Sequence, residues 1–275
     1  MTTNFILDKY NRRVEAVGSL VCVGLDSEIE KIPAKFLGEE FPQFAFNRWI
    51  IDQVAEYVAA IKPNIAFYEA RGTAGLRELR MTAEYLRAHY PAIVTICDAK
   101  RGDIGNTNRG YVVSIFDELG FDAITLHPYL GREALAPFLE RVDKACIILC
   151  RTSNPGAGEF QDMNVEGRLL WQAVAEKVDR DWNGNGNCML VVGATYPEEM
   201  RTIRTLAPGI TFLVPGVGAQ GGDVGSAVSA GLDAAGRGLI ISSSRGIIFS
   251  GDPAGAAREL RDEINTAREA VYAAR

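Results

Sequence analysis

Ile93-Val-Thr-Ile-Cys97-Asp98-Ala-Lys100-Arg-Gly-Asp103-Ile104-Gly-Asn-Thr107 runs from an apolar segment straight into a charged one, and its reading decides the rest of the chain. The opening residues form a short, nearly continuous apolar run, which predicts a strand buried on both faces, as in parallel sheets. Side chains two apart on a strand face the same way, so Asp98 and Lys100 are expected to share a face at its C-terminal end. Gly102 marks the departure into a loop, with Asp103 just beyond it. Two carboxylates and an ammonium thus lie within six positions of one another, beside a hydrophobic wall. Charges so placed are costly to bury unless they pair. An isolated Asp-x-Lys reads as a structural ion pair; Gly102, Asp103 and Thr107 in the same turn point instead to a working site.

Outward from this stretch, the same unit recurs. A helix over residues 4–18 precedes a strand Leu20–Leu25 that ends at Asp26. A helix from Phe44 to Ala59 leads to a strand from Ala60 to Tyr68 that carries Lys62, although Pro63 is unusual inside a strand. Helices over Gly72–His89 and Asn108–Leu119 flank the opening strand. The remaining strands are Ala123–Leu126 before His127, Ala145–Cys150 before Ser153, Met189–Val192, Thr211–Val214 before Pro215 and Gln220, and Leu239–Ile241 before Ser244 and Arg245. A helix from Pro253 to Ala274 closes the chain, and Asn183–Asn187 reads as a turn. Eight apolar strands alternating with helices are the signature of an α/β fold, a (β/α)8 TIM barrel with an extra N-terminal helix, occupying residues 1–275 as a single domain. In that fold the active site lies at the C-terminal ends of the strands. Asp26, Lys62, Asp98, Lys100, Ser153, Gln220 and Arg245 all stand at or just past such an end.

Composition narrows the function. The chain of 275 residues has a net charge of −6 and no basic stripe, which speaks against nucleic-acid binding. A small anionic substrate remains compatible, because local Lys and Arg matter more than the total. The five cysteines sit in or beside apolar runs with no Cys-x-x-Cys, as expected of small buried side chains in a reducing compartment. Two histidines, His89 and His127, are too few for a histidine-rich metal site. No signal-peptide pattern or membrane-length apolar run is seen, so a cytoplasmic protein is expected.

Gly216-x-Gly218-x-x-Gly221 matches a dinucleotide fingerprint in form. The next strand, however, ends in Ser242-Ser-Ser-Arg245 rather than in an acid, and the strand count disfavours a doubly wound sheet. Phosphate binding is the better reading, since loops after strands seven and eight of such barrels form phosphate sites. Glycines let backbone N–H groups approach an anion, and an arginine can grip two oxygens. Pro155, Gly156 and Gly158 suit either a mobile lid or a plain surface loop. His127 reads as a histidine packed at the rim, with an acid–base role as the alternative. Lys100 could form a Schiff base, but that needs a neutral amine, and flanking carboxylates favour an ammonium that gives away a proton.

Taken together, Asp98-x-Lys100-x-x-Asp103-Ile104 and Thr107, Asp26, Lys62, Ser153-Asn-Pro-Gly, Pro215-Gly-Val-Gly-Ala-Gln220 and Arg245 resemble the orotidine 5'-phosphate decarboxylase family. The Thr152-Ser-Asn-Pro-Gly segment and the length resemble its longer, type 2 branch. The resemblance implies conversion of orotidine 5'-monophosphate to uridine 5'-monophosphate and carbon dioxide, with no cofactor and no metal. It implies a network of Lys62, Asp98, Lys100 and Asp103, with Lys100 as proton donor. It also implies a homodimer in which Asp103 and Thr107 complete the neighbouring site. Asp26 and Lys62 would hold the ribose, Ser153 the pyrimidine, and Gln220 and Arg245 the phosphate, with the Ser244 amide able to reach it and Pro215 among the substrate-binding residues. One position departs from the family pattern: many members carry glycine where this chain has Ser244. Two other readings use the same residues: a magnesium-dependent sugar-phosphate decarboxylase or aldolase sharing Asp-x-Lys-x-x-Asp, and a nucleotide-phosphate sensor without catalysis.

Overall fold

A computed structural model describes residues 5–218 and 221–273. The eight expected strands are β1 Val21–Leu25, β2 Ala60–Pro63, β3 Val94–Arg101, β4 Ala123–Leu126, β5 Ala145–Arg151, β6 Cys188–Val192, β7 Phe212–Pro215 and β8 Leu239–Ser243. All pair in parallel with their neighbours in chain order, and β8 pairs with β1 to close the barrel. β1, β2, β4 and β6 are buried along their whole length, so each carries apolar residues on both faces.

The principal helices are α1 Phe5–Val17, α2 Pro42–Val54, α3 Gly72–His89, α4 Gly105–Val112, α5 Gly131–Leu139, α6 Leu170–Lys177, α7 Pro197–Leu206, α8 Val224–Gly231 and α9 Pro253–Ala273. Those after the strands shield the outer face. α1 does something else: its polar side chains reach the N-terminal ends of the strands. Tyr10 donates to the Leu239 carbonyl at 2.6 Å, Arg13 to the Val58 carbonyl at 3.1 Å, and Lys9 pairs with Asp122 at 2.7 Å. Because these partners open β8, precede β2 and precede β4, α1 covers the bottom of the barrel. The mouth at the opposite end is not covered by α1.

Four segments differ from the sequence reading: α2, expected over Phe44–Ala59, spans Pro42–Val54 and tightens to a 3-10 turn over Ala55–Tyr57, and three others follow. β2 stops at Pro63 rather than Tyr68, because proline cannot donate to a ladder; Ala66–Glu69 then forms a helical turn, with Asn64 Oδ1 accepting from the Ala66 amide at 3.1 Å. α4 begins at Gly105 rather than Asn108 and continues as a wider π turn over Val113–Glu118. After β5, a two-stranded ribbon pairs Asn164–Val165 with Arg168–Leu169. Its turn residues Glu166 and Gly167 both have positive φ, the geometry that matches the twist of such ribbons.

Candidate active site

The mouth is built from strand ends. On β1, alternation puts Cys22, Gly24 and Asp26 on one face, and that face looks into the barrel, since the Cys22 thiol feels the charges of Lys62, Asp26 and Asp98. Asp26 Oδ1 is buried with no hydrogen-bond partner among the described residues. A buried acceptor left unpaired is uncommon in a native protein and marks a place where a ligand hydroxyl is welcome.

At the centre, the Asp98 carboxylate lies between two ammonium groups. Its Oδ2 accepts from Lys62 Nζ at 3.0 Å, and its Oδ1 from Lys100 Nζ at 2.7 Å. The Thr125 hydroxyl donates to Oδ1 as well, at 2.8 Å. Burial pushes the Asp98 carboxyl up, but Lys62, Lys100 and these hydrogen bonds outweigh it and hold the group well below the usual carboxylate range. Burial likewise works against the Lys62 charge, and Asp98 followed by Asp26 more than reverses it, so Lys62 stays protonated. The two lysines differ in access. The Lys62 side chain is 6% exposed and the Lys100 side chain 51%, so only Lys100 can readily exchange a proton with solvent.

Those shifts set a pH window. A depressed carboxylate contributes stability that is present above its ordinary pKa and is lost only as pH falls through its folded value. A raised ammonium contributes stability that is present below its ordinary pKa and is lost as pH rises through its folded value. From about pH 5 to about pH 9 neither group changes charge. Asp98→Asn leaves Lys62 buried without its anion, at a cost of about 3–5 kcal/mol. The difference in Tm between wild type and Asp98→Asn is therefore expected to be largest near neutral pH, to narrow at more acid pH as Asp98 protonates in the wild type, and to narrow at alkaline pH as the unpaired Lys62 of the variant gives up its proton. Thermal unfolding across the pH range checks this.

The sequence reading placed Asp98 and Lys100 together by strand alternation. They do meet, but a bulge brings this about. β3 and β4 pair Cys97 with Ile124 and then Arg101 with Leu126, so Asp98, Ala99 and Lys100 all lie opposite the single residue Thr125. Lys100 takes φ +46°, a left-handed conformation that costs a non-glycine residue about 1 kcal/mol. Sequence reasoning missed Thr125, whose only signal was one hydroxyl inside an apolar strand.

Asp103 stands apart from this cluster. Its Oδ1 accepts from the Ile104 amide at 2.7 Å, and it forms no ion pair among the described residues. Ile104 is 61% exposed and Thr107 is exposed. His127 packs at the rim, as the simpler reading expected, with Nε2 2.9 Å from the Gly102 carbonyl oxygen. A side chain at Gly102 would force the ring to move, because a Cβ would stand 2.6 Å from its Nε2.

On the far side of the mouth, the loop after β7 turns on Gly216, Gly218 and Gly221, all at positive φ, and Val217 pairs back with Gly222. Pro215 ends β7 half-buried; Gln220 lies outside the described residues. Arg245 is exposed just past β8. Ser153 follows β5 against Gly193, where a Cβ would stand 2.8 Å from that of the serine.

The structure makes room for Ser244 on the neighbouring strand. A Cβ on Gly24 would come within 1.9 Å of Ser244 Oγ and 2.9 Å of its Cβ, so β1 makes room for Ser244 by carrying no side chain. Gly24→Ala is expected to cost about 1–3 kcal/mol by overpacking. Adding Ser244→Gly should restore most of the loss, as read by thermal unfolding of the single and double variants.

The model of the "Orotidine 5'-phosphate decarboxylase / HUMPS family" matches residues 19–260. An orotidine 5'-phosphate decarboxylase of Cellvibrio japonicus is 48% identical over 259 residues, covering 91% of this chain and 94% of that protein. One from Halorubrum lacusprofundi is 49% identical over 245 residues, covering 87% and 86% respectively. Among solved structures, the OMP decarboxylase of Leishmania donovani superposes with a TM-score of 0.86 at 40% identity, covering 96% of this chain and 98% of that one.

Proposed function

We propose a function from one premise: the chain belongs to the orotidine 5'-phosphate decarboxylase / HUMPS family. It is a carboxy-lyase that converts orotidine 5'-monophosphate to uridine 5'-monophosphate and carbon dioxide, a step of pyrimidine synthesis. The observation that carries the mechanism is the carboxylate of Asp98 shared by a buried lysine and a half-exposed one at the barrel mouth.

The chemistry rests on that difference. When the bond from ring carbon six to the carboxyl group breaks, its electron pair stays on carbon six in an in-plane orbital, out of reach of the ring's π system. The Lys100 ammonium stabilises that charge and then transfers a proton to the carbon, while carbon dioxide leaves. The resulting amine regains a proton from solvent. Asp98 keeps Lys100 in place, and Lys62 keeps Asp98 ionised. Asp26, with its unmet acceptor, accepts hydrogen bonds from the ribose hydroxyls, which Lys62 also contacts, and Ser153 meets the pyrimidine. Pro215, Gln220, Ser244 and Arg245 hold the phosphate end. Binding energy collected at that remote end assists the reaction at carbon six.

The active form on this reading is a homodimer, with Asp103 and Thr107 of each chain completing the other's site. Two features support it. Asp103 sits outside the cluster of its own chain, and the flanking loops expose Ile104 at 61%, Tyr129 at 87% and Leu130 at 43%. Among the described residues no helix is long and apolar enough to cross a membrane. Five free, buried cysteines suit a reducing compartment, and we place the enzyme in the cytoplasm.

The magnesium-dependent reading is less favoured because both Asp98 oxygens already face cationic or hydroxyl donors. Loss of orotidine 5'-monophosphate absorbance with a chelator present is the direct test. Undiminished turnover is the expected result. Turnover abolished by the chelator would favour the metal-dependent relative, and none under any condition would favour the sensor.

A further inference from the structure

Taking Lys100 as the proton donor, as above, we propose that Thr125 is the positioning residue that holds it there. A hydroxyl can donate one hydrogen bond and accept two, and all three are used here. Thr125 Oγ1 donates to Asp98 Oδ1 at 2.8 Å and accepts from the Ala99 and Lys100 amides, each at 3.0 Å. Thr125 is 1% exposed, so no solvent substitutes for it.

These three bonds address one problem. Three residues of β3 bulge opposite one residue of β4, which takes the Ala99 and Lys100 amides out of the regular ladder. Without an acceptor both would be unpaired, and the left-handed Lys100 would lose the contact that opposes its strain. The same oxygen donates to the carboxylate oxygen that receives Lys100 Nζ, so backbone and ammonium are referenced to one atom. Valine has nearly the shape of threonine and suits a buried strand better, yet it offers none of the three bonds. His127, two residues further on, braces a different segment: its amide donates to the Arg101 carbonyl at 3.0 Å and its ring meets Gly102. It supports the turn toward Asp103, not the lysine.

The test compares Thr125→Val and Thr125→Ser in the full-length protein, with active sites titrated by 6-hydroxyuridine 5'-monophosphate. A displacement of the proton donor by about 1 Å costs on the order of a hundredfold in rate. Thr125→Val is therefore expected to lose about that factor in kcat per titrated site, with KM changed by less than about threefold, while Thr125→Ser keeps most of the wild-type kcat. Hydrogen exchange at the Lys100 amide gives a second reading that needs no turnover: slow in wild type and Thr125→Ser, fast in Thr125→Val. Wild-type kcat in Thr125→Val, equal losses in both variants, or unchanged exchange would overturn the assignment. If Thr125→Val does not fold, Thr125→Ala is read in the same way. A wild type that leaves orotidine 5'-monophosphate intact would refute the proposed function, and amide exchange would still decide the role of Thr125.

Discussion

Lys100→Ala is expected to lower turnover by at least about 10⁴-fold while leaving affinity for uridine 5'-monophosphate within about tenfold. General acid catalysis contributes a factor of about 10²–10⁴ and charge stabilisation about 10²–10³, and this variant removes both together. Product affinity is expected to survive because the residues proposed to hold the phosphate and ribose lie elsewhere. Stability should survive too. Asp98 keeps Lys62 as its buried counter-ion, and the lost pair involves a side chain that is 51% exposed, so it is worth no more than about 1 kcal/mol. Alanine also bears much the same backbone cost as lysine at φ +46°. Steady-state kinetics, product titration and thermal unfolding of one preparation separate these effects. A comparable loss in product affinity would make Lys100 a binding residue.

The second large effect is a gain. Lys100→Ala and Asp103→Ala chains, each inactive alone, are expected to recover activity when mixed and allowed to exchange subunits. In a mixed dimer, the site of the Asp103→Ala chain has its own Lys100 and receives Asp103 from its neighbour, whereas the other site lacks both. Random exchange makes half the dimers mixed, with one complete site in two, so about a quarter of wild-type activity should return. The motive is the placement of Asp103, which bonds to its own Ile104 amide and forms no ion pair among the described residues. Inactivity after exchange has been demonstrated by mass or fluorescence would place both residues in the site of a single chain.

Much of this architecture was readable without coordinates. Apolar runs such as Cys146-Ile-Ile-Leu149 and Phe212-Leu-Val214 read as strands covered on both faces, and their alternation with helices leads to the barrel. Polar residues just beyond those runs have to collect at one rim. Periodicity failed where a local device interrupted it: the proline that stops β2, the ribbon turning on Glu166 and Gly167, and the bulge at Lys100. An alternation rule assumes an unbroken ladder, so it paired Asp98 with Lys100 for a reason the structure replaces with another.

The chain's order of residues by itself determined the barrel and the rim at which Lys62, Asp98 and Lys100 gather, because these depend on which segments must be buried and on the residues that stand next to them. Tertiary structure alone decided how those side chains are held. Thr125 reaches Asp98 across 27 positions of sequence, and Gly24 clears space for Ser244 across nearly the whole length of the chain. Neither pairing leaves a local pattern, since each exists only once parallel strands have brought distant residues side by side.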